Sequence, residues 1–486
     1  MSKLFDASKT KSQTTLNGAV THESSLNKNV DLFFKIGSLR NNPEVISEDM
    51  FWKALSEDSE TAVRILLYAR DVRGGMGERN IFRKTFKNIC DQNPELAKRI
   101  LVKVPEIGRW DDVLAAVGTP VEKDAVEFIQ QALSDKTHAG LVAKWLPRMR
   151  GNATDENKKL SKLLAKSFKL SYQEYNKLLS TLSDTLEQKL SRKDYSAIDY
   201  SKLPSLAAAR YQRLFNRVDT ERYTAYKEAL VREDGTAKIN AGAVYPYDIV
   251  KSVKYGDKIV ANAQWKSLPD YMEGTSERLI PIVDVSSSMD CRVAGDLTAM
   301  DVAISLGLYI AERNTGVFRN KMITFESNPH FVEVSDSMTL AQKVQHLRSA
   351  SWGGSTDLQK TFEMILDLAK SNRIPESEMP TKVLLVSDME FNDVGGYEGS
   401  WMVRKPRMTN FEAIQRKYAA AGYQMPQLVF WNVNSKQLGN SPVQVNDQGV
   451  ALVSGFSPSV MKGVLTGELN PVNVIRSLVY VPRYDF

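Results

Sequence analysis

Apolar residues recur at helical spacing from about Val30 to Val250. Ala62, Ile65, Leu66, Ala69 and Val72 follow i, i+3, i+4, i+7, i+10. Ala125, Phe128, Ile129, Ala132 and Leu133 follow i, i+3, i+4, i+7, i+8, the spacing that lines one face of a helix. Gly74-Gly75, Asn93-Pro94, Gly118-Thr119-Pro120 and Gly151-Asn152 interrupt the pattern, as turn residues do. Residues 31–250 therefore predict an all-α module of helical hairpins, stacked as a HEAT-like solenoid or curved array. No fixed-period repeat accompanies it, which argues against the regular repeat families. Residues 1–30 are rich in Ser, Thr, Asn and Lys, show no lasting period, and read as an extended arm.

The pattern changes after Asp248. Residues 251–277 form a mixed connector, and Leu279–Asp284 then reads as a buried strand. A helix signal at Val302, Leu306, Tyr309 and Ile310 is followed by strands at Lys321–Phe325 and Phe331–Val334. A helix around Leu340–Leu347 precedes strands at Val383–Val386, Leu428–Asn432 and Val450–Val453. Such alternation predicts a Rossmann-like α/β domain over 278–486 with a mostly parallel sheet. Its ligands belong beyond the carboxyl ends of the strands. The whole is thus a multidomain chain, as 486 residues also suggest.

Composition narrows the class. With 42% hydrophobic and 25% charged residues, the chain is neither a disordered tail nor a fibre. The longest apolar stretches, Val302–Ile310 and Lys382–Val386, fall far short of the ~20 residues of a membrane span. The start lacks the continuous apolar core of a secretory signal. Cys90 and Cys291 are the only cysteines, so no disulfide framework is expected and a reducing, cytoplasmic setting is. The net charge of +6 is uneven: residues 1–277 hold 44 basic and 37 acidic residues, whereas 278–486 hold 20 and 21. A basic amino-terminal part is a weak pointer to phosphate.

Oxygen donors gather at the predicted strand ends. Asp284-Val285-Ser286-Ser287-Ser288 closes the first strand as D-x-S-x-S, Gly353-Gly354-Ser355-Thr356-Asp357 is glycine-rich, and Ser387-Asp388-Met389-Glu390 closes a later strand. Alternate positions of D-x-S-x-S project to one side, so a carboxylate and two hydroxyls converge, as hard divalent cations require. The set resembles the metal-ion-dependent adhesion site (MIDAS) of von Willebrand factor type A domains. That resemblance implies Mg²⁺ or Mn²⁺ on Asp284, Ser286, Ser288, Thr356 and Asp388. The alternative is that Ser286 and Ser288 cap the following helix. A hydrolytic two-metal centre needs bridging carboxylates, yet Glu390 should point away from Asp388 if the strand continues. His330 and His346 lie outside the motifs. No enzymatic activity is expected.

The amino-terminal part carries its own motifs. Arg70-Asp71-Val72-Arg73-Gly74-Gly75-Met76-Gly77-Glu78-Arg79-Asn80 joins two helical segments. It reads as a helix–loop–helix turn, and its amides offer an alternative anion site. Trp110 in Gly108-Arg109-Trp110-Asp111-Asp112-Val113 and Trp145 in Lys144-Trp145-Leu146-Pro147-Arg148 read as core. Together with Thr15–Ala19, Asp31–Lys35, Asp199–Ser205 and Ser387–Phe391, these motifs resemble TROVE proteins, above all a plant, fungal and viral branch. The resemblance runs from about Thr15 to the end. It implies a Ro-like ring, in which helical repeats closed by the type A domain take single-stranded RNA ends in a basic hole and structured small RNAs outside.

Local chemistry offers RNA-binding candidates in Lys144, Arg148 and Arg150 after Trp145, and in Arg210, Arg213 and Arg217, which share a helical face beside Tyr211. Basic side chains neutralise phosphates and aromatics stack bases; the bland alternative is a solvated basic face. The leading expectation is a non-enzymatic RNA-binding or ribonucleoprotein scaffold with a divalent cation. The second is a metal-dependent protein-interaction scaffold, including a viral structural or assembly role, in which a partner carboxylate completes the metal shell.

Overall fold

The computed structural model describes residues 12–232, 234–325, 328–349, 357–391, 410–437, 440–465, 467 and 469–486. Strand β1 (Ser12–Thr14) pairs antiparallel with β2 (Val20–His22), and Gly18 turns the chain between them with φ 92°. The expected extended arm is thus a hairpin over 12–22, with strands too short to leave a period in the sequence. His22 forms a further antiparallel bridge to Ser441.

The apolar runs of the carboxy-terminal half build the main sheet. β3 is Leu279–Asp284; β4 (Arg292–Ala294) and β5 (Leu297–Thr298) make a small separate hairpin. Next come β6 (Lys321–Phe325), β7 (Phe331–Glu333), β8 (Lys382–Ser387), β9 (Gln427–Asn432) and β10 (Val450–Ser454). Their order is β10-β9-β8-β3-β6-β7, parallel throughout except for β7, an antiparallel edge strand. β3, β8 and β10 are buried at every position; strands covered on both faces need no alternation. The helix Ala299–Arg313, capped by Thr298 and Asp301, packs on β3 so closely that a Cβ at Gly307 would lie 2.3 Å from Val283 Cγ2.

Helices dominate the first half, from Lys28–Ile36 to Lys258–Lys266. Residues 251–277, read as a connector, contain the end of the helix Pro246–Tyr255 and the helix Lys258–Lys266. The helix Lys28–Ile36 buries seven of its nine residues. A helix buried nearly all round lies inside a structure rather than on it, and this one packs on β10. Ser454 Oγ donates to Phe33 O at 2.6 Å and accepts from Gly37 N at 3.0 Å. A Cβ on Gly37 would meet Gly455 Cα at 2.6 Å. One hydrophobic core therefore runs from the early helices into the sheet, while Tyr200, Phe215, Tyr223 and their neighbours form a second, smaller core.

The other end of the helical part also rests on the α/β part. Trp265 Nε1 donates to Glu312 at 2.5 Å, Arg313 to Trp265 O at 3.0 Å, and Tyr271 N to the Tyr309 hydroxyl at 3.0 Å. The carboxy terminus then latches onto the early helices. Fully buried Asp71 accepts from Arg483 Nη2 at 2.9 Å and from the Tyr484 hydroxyl at 3.0 Å.

Burial alone would raise the Asp71 carboxyl, but hydrogen bonds led by Arg483 outweigh it and hold it below the usual range. A depressed carboxyl contributes stability above its unfolded value and loses it as pH falls through the folded value. Asp71→Asn should therefore cost about 2–3 kcal/mol at neutral pH. Chemical denaturation should show that deficit shrinking below about pH 4. Gly37→Ala should cost about 1–3 kcal/mol by overpacking, read in the same measurement.

Candidate functional site

β3 is followed along the chain by β6 on one side, whereas β8 pairs with its other side. The strand order reverses there, and the crevice in which α/β sheets hold their ligands is expected at the carboxyl ends of these strands. Val283 pairs with Val386, which sets Asp284 beside Ser387. The Ser387 hydroxyl donates to Asp284 Oδ2, and Ser286 N–H donates to Asp284 Oδ1 at 2.9 Å. The Ser286 and Ser288 hydroxyl oxygens lie 3.0 Å apart. Ser286 makes no side-chain cap to the short turn Ser287–Asp290, so its hydroxyl faces the crevice set rather than serving as a helix cap.

Asp388, its side chain 0% exposed, forms an ion pair with Lys436 at 2.7 Å. Lys436 also donates to Ser288 O at 3.4 Å, which ties the β8 end to the D-x-S-x-S turn. Four expected cation ligands, Asp284, Ser286, Ser288 and Asp388, thus line one crevice. Thr356 lies outside the described residues.

The electrostatics fit a cation. Burial first, then the charge of Asp388, push the Asp284 carboxyl up to about 7. Two carboxylates held together in low dielectric repel unless positive charge joins them. Among the described residues no three His, Cys, Asp or Glu side chains gather as ligands. A metal here would therefore need the serine hydroxyls, an all-oxygen shell of the kind Mg²⁺ and Mn²⁺ accept.

The expected opposition of Glu390 and Asp388 fails: residues two apart on a continuing strand share one face, and here the strand does not continue. β8 ends at Ser387 and Met389 adopts φ 66°, so strand alternation stops before Glu390. Its Oε2 accepts Leu16 N–H at 2.8 Å, Asn17 Nδ2 donates to Glu390 O at 2.7 Å, and Thr15 Oγ1 to Phe391 O at 2.6 Å. Glu390 is a docking point for the amino-terminal hairpin.

The glycine-rich turn at 74–77 spends its amides internally. Met76 N–H donates to Tyr68 O, Gly77 N–H to Asp71 O, and Glu78 N–H to Ala69 O. A Cβ at Gly75 would fall 1.9 Å from Tyr68 O, so glycine serves a close backbone approach here. The turn reading holds for those three amides, and the anion-site alternative loses them.

The family description "Domain of unknown function (DUF2828)" matches residues 15–166 and 152–277, over half of the chain. The chain belongs to the DUF2828 family. A second description, "Domain of unknown function (DUF7788)", matches residues 278–474. "Uncharacterized protein L728" of Acanthamoeba polyphaga mimivirus is 28% identical over 513 residues, covering 95% of this chain and 86% of that protein. The crystal structure of the Deinococcus radiodurans RO (RSR) protein aligns with TM-score 0.48 and 14% identity, over 89% of this chain and 93% of that one.

Within the DUF2828 part, Arg210, Arg213 and Arg217 are exposed on the helix Ser205–Val218, opposite buried Ala208, Gln212 and Phe215. That helix carries no acidic residue. Arg150 is exposed and Lys144 half-buried, 5.4 Å from the Trp145 ring, on which Arg109 also stacks at 4.0 Å. Trp110 is buried against Phe128. Arg148 is half-buried, and its Nη2 donates to Ala143 O, Leu179 O and Ser183 Oγ at 3.0–3.2 Å.

Sequence reasoning missed two features. Lys159, Lys162 and Lys166 are exposed on the helix Asp155–Ser167, at the same i, i+3, i+7 spacing as the arginines, a signal that was there to find. Lys436 sits 48 residues after Asp388 with no motif around it. Because Arg148 ties three oxygens from two segments, Arg148→Ala should lower stability by about 2 kcal/mol, measurable by thermal melting without any ligand.

Proposed function

We propose that this protein is a non-enzymatic RNA-binding scaffold whose helical part takes single-stranded or structured small RNA. The observation that carries the reading is the acid-free helix Ser205–Val218, with three exposed arginines along one face. A row of guanidinium groups one to two turns apart suits successive phosphates, and nearby aromatics suit unstacked bases. The exposed lysines at 159, 162 and 166 add a second such row. A closed, ring-like arrangement is supported by the way both ends of the helical part rest on the α/β part.

Within this proposal, Asp284, Ser286, Ser288, Thr356 and Asp388 hold Mg²⁺ or Mn²⁺, whose chemistry would be to offer an open position to an outside oxygen. The chain's own contribution is positional: Ser387 and Ser286 N–H orient Asp284, and the β3–β8 register sets the two carboxylates side by side. Lys436 is a poor candidate for a catalytic base: burial opposes its charge, but Asp388 outweighs burial and raises its pKa. A second reading, a protein partner whose carboxylate completes the metal shell, is favoured by the partial exposure of Ser288 at the crevice mouth.

Filter binding with a short single strand should show affinity falling steeply with salt, since phosphate contacts release counterions. Arg213→Glu with Arg217→Glu should weaken it about tenfold or more, and Asp284→Ala should leave it unchanged. No affinity at low salt would refute the RNA reading. For the cation, Mn²⁺ should raise the melting temperature of the wild type but not of Asp284→Ala or Thr356→Ala; equal shifts in all three would count against these ligands.

A further inference from the structure

We propose that Lys436 is a resident cation of the crevice, one that competes with the divalent ion for Asp388 and must be displaced when the metal binds. The inference rests on the metal reading above and concerns a residue outside the ligand motifs. Three observations carry it.

The first is position. The Lys436 ammonium lies 2.7 Å from Asp388 Oδ2 and 3.4 Å from Ser288 O. It therefore reaches one expected ligand, the Asp388 carboxylate, and the backbone of the turn that carries the serine ligands. The second is charge. Asp284 and Asp388 are both fully buried, and Lys436 is the only cation forming an ion pair with either among the described residues. Two buried carboxyl groups thus face one ammonium, and any positive charge that a divalent ion brings to Asp388 must share that carboxylate with the lysine. The same oxygen cannot pair fully with both, because a divalent ion on Asp388 repels the ammonium beside it.

The third is the mounting of the lysine. Its neighbours on both sides are anchored to the first long helix and the turn that follows it. Ser435 N–H donates to Ser38 O at 3.2 Å, and the Ser435 and Ser38 hydroxyl oxygens lie 2.7 Å apart. Gln437 O accepts from Lys35 Nζ at 3.1 Å, and the same ammonium donates to Asn440 O at 3.0 Å. Lys35 is buried, and desolvation lowers its pKa to about 8 against the charges of Asp31 and Glu390. The backbone that presents Lys436 is thus fixed by the helical part, while its side chain, 27% exposed, has an open route to solvent. Displacement requires the side chain alone to swing out. An arginine or a fixed backbone donor in this place would not leave so readily; a lysine on a flexible four-carbon stem can.

Calorimetric titration of Mn²⁺ into the full-length wild type, Lys436→Met and Asp284→Ala tests the proposal. Lys436→Met should bind Mn²⁺ about tenfold more tightly than the wild type, the order expected when one competing, partly buried ion pair is removed, and Asp284→Ala should not bind. In the wild type, amine-reactive labelling of Lys436, read by mass spectrometry, should increase on adding Mn²⁺ as the ammonium moves into solvent. Equal affinity of wild type and Lys436→Met, with Asp284→Ala silent, would overturn the role of Lys436 and leave the metal site standing. Absence of Mn²⁺ binding in both would overturn the site and this inference together. Were Lys436→Met poorly folded, the labelling experiment on the wild type decides alone: protection of Lys436 unchanged by saturating Mn²⁺ refutes displacement.

Discussion

The contact between Gly37 and Gly455 constrains the rest of the molecule. Two backbones meet with no side chain between them, which lets the helix Lys28–Ile36 sink against β10 until Ser454 can bond both Phe33 O and Gly37 N. Everything amino-terminal is oriented by that helix, and the sheet is oriented against it. Close packing of this kind leaves no room for a sliding interface, so the early helices and the α/β part share one core instead of docking as two finished domains. The carboxy-terminal latch at Asp71 and the hairpin at Glu390 reinforce the same union from opposite ends of the chain.

That union shapes the crevice electrostatically. Burying Asp284 and Asp388 together is unfavourable, and the protein answers with a hydroxyl from Ser387, an amide from Ser286 and an ammonium from Lys436. The ammonium is placed there by a segment whose carbonyls are held by Lys35. A charge balance at the strand ends is thereby tied to the position of a helix in the other half.

The later helices obey a different logic. Around Tyr200, Phe215 and Tyr223 the core is small and centred on these three rings, with centroids 5.0–5.4 Å apart. Large rings let a short helix bury enough area from one face, which leaves the opposite face of Ser205–Val218 free to carry arginines. Packing demand on one side and freedom on the other is what allows a basic surface to exist here without destabilising the fold.

Local pattern was enough to read the helical character of residues 31–250, the main strand runs of the α/β part and the D-x-S-x-S turn, because each depends on residues a few positions apart; the helix Lys258–Lys266 escaped it. The arginine face was legible for the same reason. The sequence could not show that Arg148 would be spent on carbonyls from two other segments, that the strand would end at Ser387 with Met389 at positive φ, or that Gly37 answers to the distant backbone of Gly455. It gave no sign of Lys436 either. These features depend on which segments become neighbours, and neighbours far apart in the chain are chosen by the packing of the whole core. The sequence determined the local elements and the chemistry at their ends; only the tertiary structure decided which charges face one another, since that requires two strands, a loop and a helix to meet in one place.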